Sequence, residues 1–172
     1  MDTKCAIKSG FIKLYTKQEY NSITVQSLCK SVPVARTTFY AHYDNIDCVK
    51  AEIEDETVRE IRAVSEKIYS DDSEAIFACL MNYIEQNRSI FYAFLAAQPN
   101  ARFIEKLKTA IINHFKENFG SNKGQNYELE LEIFASAVIT YYTYWLKNPD
   151  KTDTENIGKK FKTIKKLIKS VL

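Results

Sequence analysis

A chain of 172 residues, 45% hydrophobic and 27% charged with a formal net charge of +2, has the composition of an ordinary globular protein and can bury a substantial core in one or two small domains. No apolar run is long enough to span a bilayer, and the N-terminus lacks the apolar segment of a secretory signal, so the expected location is cytoplasmic. The small net charge hides a segregation: residues 1–50 carry seven Lys/Arg against four Asp/Glu, residues 51–150 ten against sixteen, and residues 151–172 seven against two.

In chain order, the opening from Lys4 to Tyr20 is amphipathic, with Ile7, Phe11, Leu14 and Tyr15 on one face. Ile23 to Val49 then reads as two short helices joined by a tight turn and followed by a third helix start, the pattern of a helix-turn-helix DNA reader. Thr24 is the expected N-cap of the first short helix, which carries Val25, Leu28 and Cys29 on one face. Pro33 stops it by biasing Val32 away from helical angles. The chain restarts near Ala35 and runs through Tyr43, with Phe39 and Tyr43 four residues apart and directed inward together.

Beyond Tyr43 no segment alternates like a strand, so the chain is expected to be all-α with about nine helices. Asn45 caps a long fourth helix through about Ser70, and Asp47 complements the helix dipole. Its acidic run Glu52, Glu54, Asp55 and Glu56 reads as a solvated face. A fifth helix carries Ile76, Phe77, Leu80, Met81, Tyr83 and Ile84, and a short sixth from Ile90 to Ala97 is ended by Pro99. The seventh, from about Asn100 to Phe119, turns Phe103, Ile104, Leu107, Ile111 and Phe115 inward before the loop Gly120–Gly124. From Glu128 to Leu146 apolar residues cover more than one face, so that helix needs burial on two sides. Thr152 and Glu155 form a capping-box pattern for a last helix, where Ile157, Phe161, Ile164, Ile168 and Val171 make a packing seam opposite a solvated lysine face.

Ile23-Thr24-Val25, Leu28-Cys29, Val34, Thr38-Phe39-Tyr40, His42-Tyr43 and Asn45 together resemble the DNA-binding domain of the tetracycline-repressor-like (TetR) family. The resemblance is strong to about Lys50 and looser afterwards. It implies a DNA-binding domain over residues 1–48, a helical ligand-binding and dimerisation domain over 49–172, and a homodimer that presents two recognition helices to a two-fold DNA site. Arg36, Thr37 and Thr38 are then expected at major-groove base edges, with Thr24, Tyr40, His42 and Lys50 at phosphates. Three positions depart from the family pattern. Pro33 replaces a preferred glycine, so the turn needs another geometry; Ala35 replaces a capping Ser/Thr; and Ile46 replaces a phosphate-reaching lysine, which lowers the expected phosphate affinity.

The resemblance also implies dimerisation through the last two helices, with Tyr141, Trp145, Phe161, Ile164 and Ile168 at or beside the interface. It further implies an effector pocket among helices five to eight, to which Phe77, Tyr83, Phe94, Phe103, Phe115, Phe134 and Tyr141 are assigned. Many tyrosines in an apolar wall, and no histidine or arginine clearly directed inward, point to a small, mostly apolar and aromatic effector rather than a highly charged one. Catalysis has no visible seat: His42 and His114 lack a nucleophile neighbour, and no phosphate-binding glycine motif is present. Cys5, Cys29, Cys48 and Cys79 show no CxxC or Cys/His pairing, which points away from a metal or cofactor and toward buried reduced thiols. The reading is therefore a transcriptional regulator, a repressor. Its rival is a helical interaction protein of the same fold that has lost DNA binding and acts through a protein partner.

Overall fold

The computed structural model describes residues 2–66, 73–118 and 126–151, and of residues 73–77 and 118 the backbone alone. Among them the chain is all-α, with eight helices and no strand. These are α1 (Thr3–Tyr15), α2 (Val25–Ser31), α3 (Arg36–Tyr40), α4 (Ile46–Glu66), α5 (Ser73–Gln86), α6 (Arg88–Phe91), α7 (Ala101–Asn118) and α8 (Tyr127–Lys147). The expected last helix with Phe161, Ile164 and Ile168, the loop Gly120–Gly124 and the side chain of Phe77 lie outside the described residues.

Local chemistry sets the ends of the short helices. Thr24 Oγ1 accepts from the Ser27 N–H while Ser27 Oγ accepts from the Thr24 N–H, both at 3.0 Å, so α2 begins in a reciprocal capping box. Pro33 cannot supply the positive φ that a glycine would. The chain instead turns in three residues, with the Val34 N–H donating to the Val32 carbonyl at 2.8 Å. Ala35 offers α3 no side-chain cap, whereas Asn45 Oδ1 accepts from the Cys48 N–H at 3.0 Å and fixes the start of α4.

The apolar stripe of α1 buries Ile7, Phe11 and Tyr15 against α2, α3 and the first half of α4, where Leu28, Phe39, Tyr43, Val49 and Ile53 complete one core. Gly10 makes this approach possible: a Cβ there would overlap Val32 Cγ1 and stand 3.1 Å from Leu28 Cδ1. Because the branched Val32 has little rotamer freedom with which to retreat, the overlap outweighs the helix propensity that alanine would add. Gly10→Ala is therefore expected to cost about 1–3 kcal/mol, read as a lower urea midpoint with an unchanged slope.

α4, 21 residues long, joins this head to the rest of the chain. Its acidic run is not the solvated face that the sequence suggests. Glu52 lies 2.9 Å from Lys4, Glu56 lies 2.5 Å from Lys8, and Glu54 is fully buried. In the body, α6 continues as a π-helical turn over Tyr92–Ala97 whose Phe94 meets Tyr15 edge-on at 5.1 Å and Phe103 at 5.1 Å.

α8 buries Leu131, Ala135, Val138, Ile139, Tyr142, Trp145 and Leu146, and leaves Leu129, Ile133 and Tyr144 exposed. Its apolar excess is thus divided between an inner face and an outward stripe. Trp145 belongs to the inner face, with the Arg88 guanidinium 5.0 Å above its ring and a second Arg88 nitrogen donating to the Leu146 carbonyl at 3.1 Å. The cysteines are free but not buried, which corrects the expectation of buried thiols: Cys5 and Cys79 are exposed, and Cys29 and Cys48 are half-buried.

Candidate functional site

Among the described residues two places have the geometry of a site, and α4 touches both. The first is the outer edge of the head. Phe39 is fully buried and packs 5.8 Å from the Tyr43 ring, which turns Arg36, Thr37, Thr38 and Tyr40 outward, Tyr40 with 57% of its surface exposed. α3 ends at Tyr40, so His42 stands exposed in the turn beyond it rather than on the helix; the missing cap and the short segment leave room for one turn only. Thr24 is exposed at the start of α2, with its hydroxyl engaged in the capping box. Lys50 holds its ammonium 4.0 Å from the Tyr20 ring, and the Tyr20 hydroxyl donates to the Asp47 carboxylate. Ile46, where a phosphate-reaching lysine was missing, is instead part of the head core.

Behind the head runs a chain of polar contacts that the sequence does not announce. Gln98, just past the π-helical turn, donates through Nε2 to the carbonyls of Tyr15 and Gln18, the latter at 2.8 Å, and its Oε1 accepts from the Tyr20 N–H at 3.0 Å. The Tyr15 hydroxyl returns a bond to the Gln98 carbonyl at 3.2 Å. Two residues on, Asn100 caps α7 by accepting from the Phe103 N–H at 3.2 Å and donates its amide to Glu54 at 2.8 Å. The Glu54 carboxylate also meets the Lys106 ammonium at 2.8 Å and Arg102 Nε at 3.5 Å. Burial works to lower the Lys106 pKa, but its bonds to Asp55 and Glu54 outweigh that and raise it above the ordinary lysine value.

The second place is a cavity of about 660 Å³ enclosed by α4, α5, α7 and α8. Its inner wall is apolar: Val58 and Ile61 from α4, Leu80 from α5, Ile111 and Phe115 from α7, and Phe134, Val138 and Tyr142 from α8. Phe115 and Phe134 meet edge-on at 4.7 Å. His114 also faces the cavity, and burial lowers its pKa, keeping the imidazole neutral at physiological pH. The rim is ionic, with Asp55, Arg59, Arg62, Glu66, Arg102, Glu105, Lys106 and Glu117.

Of the aromatic residues assigned to a pocket, Phe115 and Phe134 line this cavity and Tyr83, Phe94, Phe103 and Tyr141 do not, while the side chain of Phe77 lies outside the described residues. Phe94 and Phe103 are fully buried where the body meets the head. The Tyr83 hydroxyl turns to the Glu60 carboxylate at 2.7 Å, and burial together with that carboxylate raises its pKa. Tyr141 is half-buried beside Tyr142, ring centroids 5.9 Å apart, and only Tyr142 reaches the wall. The expectation that no histidine is directed inward is corrected by half-buried His114, whereas Arg59, Arg62 and Arg102 stand exposed at the cavity rim. On α4 the signal is the three-residue spacing of Arg59 and Arg62, which sets both on one side of the helix; on α7 Arg102 and His114 are twelve residues apart and carry no such local pattern.

Among the described residues no helix is long and apolar enough to cross a membrane, and no group of three His, Cys, Asp or Glu side chains is arranged to hold a metal ion. Residues 71–166 match a family model, TetR_C_8, described as "Transcriptional regulator C-terminal region". Among solved structures the chain is similar to a TetR transcriptional regulator from Streptococcus agalactiae, at 21% identity and a TM-score of 0.73 over 95% of this chain and 93% of that one. It is similar to the fatty acid degradation regulator FadR from Bacillus halodurans, at 14% identity and a TM-score of 0.63 over 98% and 95% of the two chains. It is also similar to the dihydroxyacetone kinase operon activator DhaS, at 15% identity and a TM-score of 0.62 over 98% and 94%. At these identities the likeness is one of fold, and function has to be argued from the site. No curated protein sequence matches the chain.

Proposed function

The chain belongs to the TetR family of transcriptional regulators, and from that premise we propose that it binds a two-fold DNA site as a homodimer, represses transcription there, and is released by a small, mostly apolar effector. The observation that carries the reading is the division of α3 into a buried Phe39 and an exposed polar edge of Arg36, Thr37, Thr38 and Tyr40. A helix that served packing alone would have no use for that edge. In this reading the first three residues reach base edges in the major groove, and Tyr40, His42, Thr24 and Lys50 hold phosphates. Residues 1–48 act as the reading head and 49–172 as the effector and dimerisation domain.

The dimer reading rests on the outward stripe of α8, where Leu129, Ile133 and Tyr144 stand exposed at spacings that keep them on one side. Effector release rests on the path of α4, which starts in the head core at Ile46 and ends at the cavity rim at Glu66. A ligand that favours one placement of α4 changes operator affinity by linkage. Ile46 and the uncapped Ala35 favour the rival reading, in which the head no longer binds DNA and the protein acts through a partner.

Two substitutions test the head. Arg36→Ala is expected to relax base preference at one operator position by about 1–3 kcal/mol, while Lys50→Ala weakens all sequences alike and lowers the salt slope by about one. Quantitative gel shifts over a set of singly substituted duplexes separate the two effects. An Arg36→Ala protein with unchanged affinity and unchanged preference would remove α3 as the reading helix.

A further inference from the structure

The cavity rim carries an unequal share of unpaired charge, and that inequality defines a ligand class. Each rim carboxylate already faces a cation. Asp55 meets Lys106 at 2.7 Å, Glu66 and Glu117 meet Arg62 at 2.7 and 3.4 Å, and Glu105 lies 3.7 Å from Lys108. The Lys106 and Arg62 pairs tie α4 to α7 at two points, and in sequence Arg59 on α4 and Thr109, Ala110 and Asn113 on α7 fall between them. Among the described residues Arg59, Thr109 and Asn113 make no hydrogen bond or ion pair with another side chain, and all three line the cavity. The opening between the two ties thus presents a guanidinium, a hydroxyl and an amide, with the small Ala110 beside them and an apolar chamber behind.

We propose that the effector is an amphiphilic carboxylate: its apolar body fills the chamber against Phe115, Phe134 and Val138, and its carboxylate is held at the opening by Arg59, with Thr109 and Asn113 as further donors. The proposal rests on the effector reading given above and names the chemistry of that effector. A planar guanidinium matches a carboxylate with two parallel hydrogen bonds. Among the described residues a cationic head finds no rim carboxylate that is not already engaged, and a neutral head leaves the Arg59 charge unused. The chamber volume, about 660 Å³, lies within the range of pockets that enclose most of a small ligand.

The test titrates the full chain with two bodies and three heads: decanoate, decan-1-ol and decyltrimethylammonium below their micellar concentrations, and 2-naphthoate against 2-naphthol. Calorimetric affinity and the shift in melting temperature are read together. At least one carboxylate is expected to bind about tenfold more tightly than its alcohol. Arg59→Gln is expected to reduce that carboxylate to the level of its alcohol without changing alcohol binding, and Arg59→Lys to keep part of the preference. Unchanged alcohol binding and an unchanged melting temperature of the free protein show that the exposed Arg59 can be replaced without loss of fold. An alcohol or ammonium that binds as tightly as the carboxylate overturns the proposal but leaves the effector cavity standing. A carboxylate preference that survives Arg59→Gln overturns the Arg59 assignment. Failure of all five probes to bind counts against the effector cavity itself, and the carboxylate proposal falls with it.

Discussion

Replacing Lys106 by methionine is expected to destabilise the protein by about 3–5 kcal/mol, a large part of the stability of a domain this size. The reason is Glu54. Its carboxylate is fully buried, and its hydrogen-bonded partners are the Lys106 ammonium and the Asn100 amide, each at 2.8 Å, with Arg102 more distant at 3.5 Å. Methionine keeps the aliphatic bulk of the lysine stem and removes the charge, so a buried anion is left with a neutral amide and one loose guanidinium. If that is the origin of the loss, removing the anion as well will reverse it. The double variant Lys106→Met with Glu54→Leu is expected to recover most of the stability, since a buried ion pair can be replaced by apolar residues at little net cost. Urea denaturation of the four proteins in the cycle supplies the measurement. A Lys106→Met loss below about 1 kcal/mol would mean that Arg102 or water already serves the carboxylate, and that the pair does not hold α4 to α7.

Gln98→Ala is expected to loosen the join between head and body without melting either. The substitution leaves the Tyr15 and Gln18 carbonyls and the Tyr20 N–H without the side chain that serves all three. At about 0.5–1.5 kcal/mol for each lost bond, and with water able to reach part of the site, the total is about 2–3 kcal/mol. Because those bonds close the segment that follows α1, the effect is local. Amide hydrogen exchange should accelerate from Thr16 to Ile23 while the amides of α7 and α8 keep their protection. Uniform acceleration across the chain would show that Gln98 serves global stability instead. The same variant bears on coupling, since Gln98 holds the head and Asn100, two residues on along the backbone, meets Glu54, which meets Lys106 at the cavity rim.

What could be read from the sequence was set by short-range pattern. The Thr24 and Asn45 caps, the inward pair Phe39 and Tyr43, and the stop at Pro33 all depend on residues within four positions of each other, and each is found in the structure. Gln98 and Glu54 were not legible because their partners lie far along the chain: Gln98 meets residues 78 to 83 positions away, and Glu54 meets residues 46 and 52 positions away. A glutamate in an acidic run reads as solvated until the helix that covers it is known. The cavity illustrates the same limit. Aromatic content signals that large side chains are buried, but core and cavity wall share the same helical spacing, so Phe94 and Phe103 fill the core while Phe115 and Phe134 face the cavity. For α8, an apolar helix with two covered faces was expected. Which face stays outward was decided by Trp145, whose inward turn onto Arg88 leaves Leu129, Ile133 and Tyr144 to the other side.

If the exposed edge of α3 reads DNA from a two-fold assembly, selection of the purified protein against a random pool of duplexes will enrich an inverted repeat whose half-sites lie about one helical turn apart. Two chains per selected duplex are expected by sedimentation, and loss of preference at one position of each half-site when Arg36 is replaced by alanine. Recovery of no sequence at low salt, or equal retention of all duplexes with no dependence on Arg36, would mean that α3 does not read DNA. Either result would leave a helical regulator that has kept the TetR fold and acts through a protein partner.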